Sequence, residues 1–359
     1  MQHAIVKSYP GHHTSFWLLT SRSAMDNLTH TLTAVAISQT GLNRKTRFAT
    51  LTLILAGNAP DIDVLAGLKG SVAYLKHHRG ISHSFVGITA LAFIIWGLMY
   101  WMGKRARPKP GLSLNGRWLL FAAFLGTGSH LLLDFTNSYG VRPFLPFSGR
   151  WYAWDIMFIL DPVLLALLIV GLAVPWLLRL VSEEVGARKQ RLVPGAVFCL
   201  CAMVALWGIR DFAHRRALSI LDSRTYSGED PQRFSALPEA VNPFTWMGVV
   251  ETETSFHALS VNALDANGLP EEVGTFEKPQ ASPALAAAMK TPAGLIFMDF
   301  ARFPWAQVDE NDEGYRVSLS DLRFYQPSAQ SPSFTLDVEL DKNLSTRFAT
   351  LHLAVPRRN

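Results

Sequence analysis

The chain is 359 residues long, 49% hydrophobic and only 17% charged, against about 25% charged residues in an ordinary soluble domain. With a mean hydropathy of +0.17, this composition excludes a disordered chain, a coiled coil and a small disulfide scaffold, and argues against a purely soluble enzyme. The net charge of +5 and isoelectric point near 9.2 would suit a nucleic-acid binder, but the placement of the cations decides otherwise.

Residues 1–24 read as a tail. The apolar run from Phe16 to Leu19 is too short for the core of a secretory signal and no small-residue cleavage site follows it, which makes Met25 a candidate for the natural start. Two short apolar stretches follow, 27–38 and 48–60, and together suit a helical hairpin. Residues 85–103 run for 19 residues without a charge, the length that crosses a bilayer core. The stretches 118–135, 156–178 and 192–209 complete the apolar part, the second of these holding Asp161 near its start. The expected fold is mainly α: a polytopic bundle of four to six membrane helices over residues 25–210. Cys199 and Cys201 lie two apart in an apolar run and build no thiolate site. Beyond residue 225 the pattern becomes alternating. WMGVVETETSFHALSVNAL (246–264) meets a turn at Asp265-Ala266-Asn267-Gly268, and GLIFMDFARFPWAQV, YRVSLSDLRFY, SFTLDVEL and FATLHLAV repeat it, which predicts a small soluble antiparallel β domain over 225–359.

Cations cluster in alternate loops: Arg44, Lys45 and Arg47; Lys104, Arg105, Arg107, Lys109 and Arg117; Arg179, Arg188, Lys189 and Arg191. The intervening loops hold fewer, namely Lys69, Lys76 and Arg79, then Arg142 and Arg150. The positive-inside rule places the three basic loops in the cytoplasm and the C-terminal domain outside it. The basic isoelectric point is thereby a topology signature, and no nucleic-acid partner is expected.

Ionisable side chains beside membrane helices are costly and are functional candidates by default. They fall into groups: Asp26 and His30, Asp61 and Asp63, His78 and His83, His130 and Asp134, with Asp155 and Asp161 as a further pair. Traced through the six-helix path, every group reaches the same, outer face. Imidazole and carboxylate without sulfur suit Zn, Mn or Fe, and the number of donors allows for two ions. Arg79 is placed to hold a phosphate oxygen, and Ser82 and Ser84 to orient ligands. Blander readings stand beside each: a His-x-x-x-Asp pair as a structural hydrogen bond, Asp61 and Asp63 as turn caps, Asp26 and Asp161 as helix N-caps, His77 as a surface residue. His3, His12, His13, His214, His257 and His352 are not expected to bind metal, and Trp151 to Trp154 read as an interfacial belt.

These residues resemble a known group, the membrane-bound metal-dependent hydrolases usually labelled YdjM. The resemblance rests on Met25-Asp26-x-x-Thr29-His30, Pro60-Asp61-Ile62-Asp63, His78-Arg79-Gly80-x-x-His83-Ser84, His130-x-x-x-Asp134 and Asn137-x-x-Gly140. It covers roughly residues 25–165, with Ser82 where the family more often has threonine. It implies a metal-dependent hydrolase, and a distant similarity of the family to zinc phospholipase C and single-strand nucleases adds zinc and phosphoester hydrolysis by analogy. The C-terminal domain resembles nothing.

The expectation is an enzyme of the bacterial inner membrane with a divalent metal, zinc first, at its outer face. His30, Asp61, Asp63, His78, His83, His130 and Asp134 are the candidate ligands. A metal-activated water is the nucleophile, Arg79 the electrostatic clamp and Asp155 the reserve ligand or general base. The expected partner is membrane lipid, with an amphiphilic or phosphorylated substrate; nothing in the sequence sets the oligomeric state. The rival expectations are a metal-binding transporter or sensor, and a membrane anchor for the β domain.

Overall fold

A computed structural model describes residues 14–107, 111–184, 192–265, 270–329 and 331–353, with side chains from residue 27 onward except those of Glu183 and Ala329. Residues 1–13, Lys109, Arg188, Lys189, Arg191 and the turn at 266–268 lie outside the described residues, as does the side chain of Asp26.

The N-terminal part is a helical bundle. α1 (Thr14–Gln39) turns through Gly41, at φ 131°, into α2 (Ala49–Asn58), forming the expected hairpin. α1 begins well before residue 26, so part of the segment read as a tail is helical. α2 gives way at Ala59–Lys69 to a 3₁₀ segment with Pro60 in its first turn. α3 (Ser71–His77), α4 (Phe85–Arg105), α5 (Gly116–Thr136), α6 (Pro162–Glu184) and α7 (Val193–Asp222) follow. Among the described residues five segments are long and apolar enough to cross a membrane: Ala49–Lys69, Phe85–Arg105, Gly116–Thr136, Pro162–Ser182 and Val193–Asp222. α5 runs against α2 at very short range, because Gly126 lies under Ala56 and Gly57. α6 is capped by Asp161, whose Oδ1 accepts from the amides of Val163 (3.0 Å) and Leu164 (2.9 Å). Its Oδ2 meets Arg210 of α7 at 2.7 Å, both side chains being fully buried.

The two ends of the bundle differ. The loops after α1 and after α4 meet at one end, where Asn115 donates its amide to Thr46 (2.9 Å), Arg47 donates to the Arg107 carbonyl (3.1 Å) and Lys45 lies over Trp118. Arg44, Lys45, Arg47, Arg105 and Arg117 gather there. The 21 residues of α5 lead from that basic end to the other, about 30 Å away, where the C-terminal domain sits.

α7 continues 12 residues past the expected limit of 210, to Asp222. Ala213, Ala217 and Leu221, at i, i+4 and i+8, bury against the first sheet of the C-terminal domain. That sheet is an antiparallel meander of β1 (Arg233–Pro238), β2 (Thr245–Glu251), β3 (Ser255–Asn262) and β4 (Glu271–Glu277). α8 (Pro283–Lys290) and α9 (Pro292–Phe300) come next, then β5 (Pro304–Asn311) and β6 (Gly314–Asp321). The chain ends in a two-residue pair β7 (Tyr325–Gln326) and β8 (Ser331–Pro332), then β9 (Thr335–Asp341) and β10 (Thr346–His352). The second sheet has the order β10-β9-β6-β5, with α8 and α9 packed on it through Ala288, Phe297, Val317 and Leu336.

The domain is antiparallel as expected, but residues 294–300 form part of a helix where alternation predicted a strand. The cause is local. Ser282 and Thr291 each precede a proline and accept the amide three residues on (Leu285 at 3.1 Å, Gly294 at 2.9 Å); this is a capped helix start, written twice in SPALAAAMKTPAGLIFMDF.

Candidate metal centre

The site is built from three elements. His130 and Asp134 lie one turn apart on α5 and point the same way. Asp61 and Asp63 lie on the 3₁₀ segment. Its three residues per turn put side chains two positions apart on different sides of the axis, so they face different partners. His83 ends a short 3₁₀ turn, Ile81–His83, fixed by Ser84, which caps α4 by accepting the amide of Gly87 (3.0 Å). A β-carbon at Gly87 would overlap the Ile81 carbonyl, so this turn requires glycine there.

One donor atom each from Asp61, His83, His130 and Asp134 falls within 4.8 Å of the others. His83 Nε2 is 3.0 Å from His130 Nε2, 3.1 Å from Asp134 Oδ2 and 3.6 Å from Asp61 Oδ1. His130 Nε2 is 3.5 Å from Asp61 Oδ1 and 3.4 Å from Asp134 Oδ2. Ligands at 2.0–2.1 Å from a tetrahedral ion stand about 3.3 Å from one another, the middle of this range of separations. His83, His130 and Asp134 are buried; the Asp61 side chain, 19% exposed, is the edge that meets the surroundings.

The imidazoles are oriented for ligation. His130 Nδ1 is 2.8 Å from the Gly57 carbonyl, which can only accept, so Nδ1 carries the proton. His83 Nδ1 lies 3.1 Å from Ser82 Oγ, which donates in turn to Asp63 Oδ2 (3.3 Å), and 3.2 Å from that carboxylate oxygen. Both Nε2 lone pairs therefore point at each other and at two carboxylates, an arrangement that calls for a cation between them. Burial opposes a charge on His83, yet Asp134, Asp61 and Asp63 raise its pKa well above the ordinary imidazole value. Asp134 Oδ2 is buried with no hydrogen-bond donor among the described residues. The donor set fits a divalent ion of the zinc, manganese or iron type.

The other expected ligands form a second tier. Asp63 accepts the Arg79 amide (2.7 Å) and faces His78 Nδ1 (3.4 Å), backing His83 from outside the cage. His30 stacks on His130, ring centroids 3.9 Å apart, and its Nε2 is 3.6 Å from Asp134 Oδ1. His77 is exposed.

Arg79 differs from its expected role. It is 3% exposed, with a left-handed backbone at φ 49°, and its guanidinium turns inward. Nη2 donates to Asp134 Oδ1 (2.9 Å) and Nη1 to Asn137 Oδ1 (2.7 Å) and the Gly140 carbonyl (3.3 Å). It is a positioning residue for Asp134, and it occupies the side of that carboxylate where a second ion would bridge. Asp155 is a clearer correction. Its neighbour Ile156 donates its amide to the Thr136 carbonyl (2.9 Å), so the backbone passes the end of α5. At φ 59°, however, the Asp155 side chain is thrown toward the C-terminal domain. There its oxygens accept Arg302 Nη1 at 2.9 and 2.8 Å, with Ser235 Oγ at 3.5 Å. It joins the two parts of the chain and is committed to that pair.

Reading the sequence assigned no role to Asn137, Tyr139 or Arg302. Tyr139 lies under Arg79, edge-on to His78, and enters an aromatic cluster with Phe300, Phe324 and Phe334. Arg323 donates to the Ser138 carbonyl (2.8 Å). The C-terminal domain is thus seated on the outer tier of the cage. The Asn137-x-x-Gly140 turn was the available signal for Asn137; nothing in the sequence marked Arg302.

Two family profiles match different parts of the chain. The profile of the YfhP C-terminal alpha/beta plait domain matches residues 283–353, the span of α8 to β10. A Bacillus subtilis (strain 168) protein described as "Uncharacterized protein YfhP" is 30% identical over 146 residues, 38% of this chain and 42% of that protein. The match thus takes in less than half the length of that relative. No solved structure matches the chain. The profile described as "YdjM inner membrane protein" matches residues 25–215, the whole bundle with its cage. The chain is a multi-pass membrane protein with a group of Asp and His residues able to hold a metal ion, and it belongs to the YdjM inner membrane protein family.

Proposed function

We propose that the chain is a metal-dependent hydrolase acting on an amphiphilic, phosphoester-type substrate at the outer face of the inner membrane. The observation that carries this reading is the convergence of two imidazole nitrogens and two carboxylate oxygens, each nitrogen 3.0 to 3.6 Å from the other and from both oxygens, with one partly exposed edge at Asp61. When bound, a divalent ion supplies a Lewis acid and makes water acidic enough to act at neutral pH. The protein's residues do the rest. Asp134, His83 and His130 would hold the ion from the buried side, and Gly57 and the Ser82–Asp63 pair fix the imidazole tautomers. Arg79 holds Asp134 in place, and Asp61 stands where substrate arrives. We take the ion to be zinc and single, since Arg79 neutralises the outer oxygen of Asp134. The basic loops at the opposite end favour the cytoplasm there, which supports an outer location for the cage and the C-terminal domain.

The four-residue donor set itself favours a second reading, a resident ion without turnover, because closed tetrahedral zinc sites are structural. The test is hydrolysis of phosphodiester-containing lipids in nanodiscs by the zinc-loaded protein and by Asp61→Asn. Turnover that falls at least 100-fold in a variant still holding zinc supports the hydrolase; no turnover by either protein supports the resident ion.

A further inference from the structure

Phe147 is 86% exposed, the side chain of an aromatic residue held out by a closed turn. Its amide donates to the Phe144 carbonyl (2.9 Å), as does that of Ser148 (3.0 Å), with Pro143 just before the turn and Pro146 within it. The turn is fixed to the bundle, because Phe85 donates its amide to the Pro143 carbonyl (2.8 Å) and its ring lies edge-on to Phe144 at 5.5 Å. Phe85 is the first residue of the membrane segment Phe85–Arg105. Two further apolar residues are exposed next to cage ligands: Ile81, in the turn that carries His83, and Ile62, beside Asp61. On the other side Tyr152 lies edge-on to Phe144 at 5.4 Å and carries Arg150 over its ring.

We propose that this 143–148 turn is a membrane-interface anchor, seated in the headgroup and acyl boundary of the leaflet on the metal-centre side. The occupant it fits is bilayer lipid. The patch is continuous with a membrane segment, it ends in aromatic rings, and an arginine rims it, which is the composition of an interfacial belt. Exposed apolar area of this kind on a closed, proline-containing turn also loses little conformational entropy on insertion. Its consequence for the site is positional. Phe85, to which the turn is bonded, is two residues from the cage residue His83, so an anchor at that depth sets the cage near the level of lipid headgroups, where a substrate can reach it from the bilayer. The anchor itself rests on the bundle lying in a membrane and not on the hydrolase reading.

The test is a nitroxide at Phe147→Cys in a Cys201→Ser background, Cys201 being exposed and Cys199 buried. The protein is reconstituted in nanodiscs of phosphatidylcholine and phosphatidylglycerol. Collision with dissolved oxygen should exceed collision with a water-soluble nickel complex several-fold, relative to a label at Asp312→Cys in the exposed turn between β5 and β6. As a second measurement, the added emission of Phe147→Trp should be quenched by acyl-brominated phosphatidylcholine. A Phe147 label as accessible to nickel as the one at Asp312, or an unquenched tryptophan, overturns the proposal. So does dipolar broadening between labels, which would show a second copy covering the turn.

Discussion

Arg79 and Asp134 form a buried ion pair in which the two oxygens of the carboxylate have different tasks. Oδ1 accepts from the guanidinium at 2.9 Å, while Oδ2 faces His83 Nε2 at 3.1 Å. Arg79 thereby sets the angle at which Asp134 meets the cage. Replacing it leaves a buried carboxylate uncompensated, which costs about 3–5 kcal/mol, and loosens a ligand support, which costs about 10–100-fold in metal affinity. Arg79→Gln should show both losses, read by thermal unfolding and by zinc competition against a chelator. Arg79→Lys should recover little, since a point charge cannot reach Asp134 and Asn137 together. Wild-type zinc affinity in Arg79→Gln would remove Arg79 from the site.

The packing of α2 on α5 brings Asp61 toward His130. A β-carbon at Gly126 would stand 2.7 Å from the Ala56 side chain and 2.9 Å from the Leu53 carbonyl, whereas one at Gly128 would meet nothing within 4 Å. Gly126→Ala should therefore destabilise by about 1–3 kcal/mol and weaken zinc binding, and Gly128→Ala should do neither. Thermal unfolding of both variants in detergent, with and without zinc, checks the pair. Equal behaviour of the two would contradict the close approach.

Asp155 separates a structural role from a chemical one. Held by Arg302 at 2.8 Å, it should act through the joint between bundle and C-terminal domain. Asp155→Asn should lower thermal stability by about 1–3 kcal/mol, the range for leaving a partly buried charged partner unsatisfied, and leave zinc content unchanged. Arg302→Gln should cost a similar amount, and the double variant less than the sum. Loss of zinc in Asp155→Asn, at unchanged stability, would return Asp155 to the ligand set.

Much of this site was legible because its spacing is local. His130 and Asp134 share a face on any helix, and the His78-Arg79-Gly80-x-x-His83 run is short enough for one turn to hold it. What lay beyond the sequence depended on backbone detail. The 3₁₀ segment after Pro60 sends Asp61 into the cage and Asp63 behind it, a division that the spacing alone does not assign. Left-handed φ values at Arg79 and Asp155 turned both side chains away from their expected tasks, and neither residue is a glycine that would have announced the turn. In the C-terminal domain, apolar alternation in GLIFMDF outweighed the Thr291-Pro292 helix start, and the second sheet gained two helices that period alone had hidden.

Metal binding by imidazoles competes with protons. His83, whose pKa the neighbouring carboxylates hold well above the ordinary imidazole value despite burial, carries a proton in the unloaded cage and gives it up to bind the ion, so zinc affinity should fall as pH drops from 7.5 to 5.5. The fall should be about tenfold per unit, the slope of one proton displaced from an imidazole. Competition titrations across that range read the slope. An affinity flat with pH would mean that oxygen ligands alone hold the ion.

The most direct measurement of the central claim is zinc content together with X-ray absorption at the zinc edge, on purified wild-type protein and on His83→Ala/Asp134→Ala. Four donors gathered round one ion predict one zinc per wild-type chain, about two imidazole nitrogens in its shell, and none retained by the double variant. Equal zinc in both proteins, or a shell without imidazole, would contradict it.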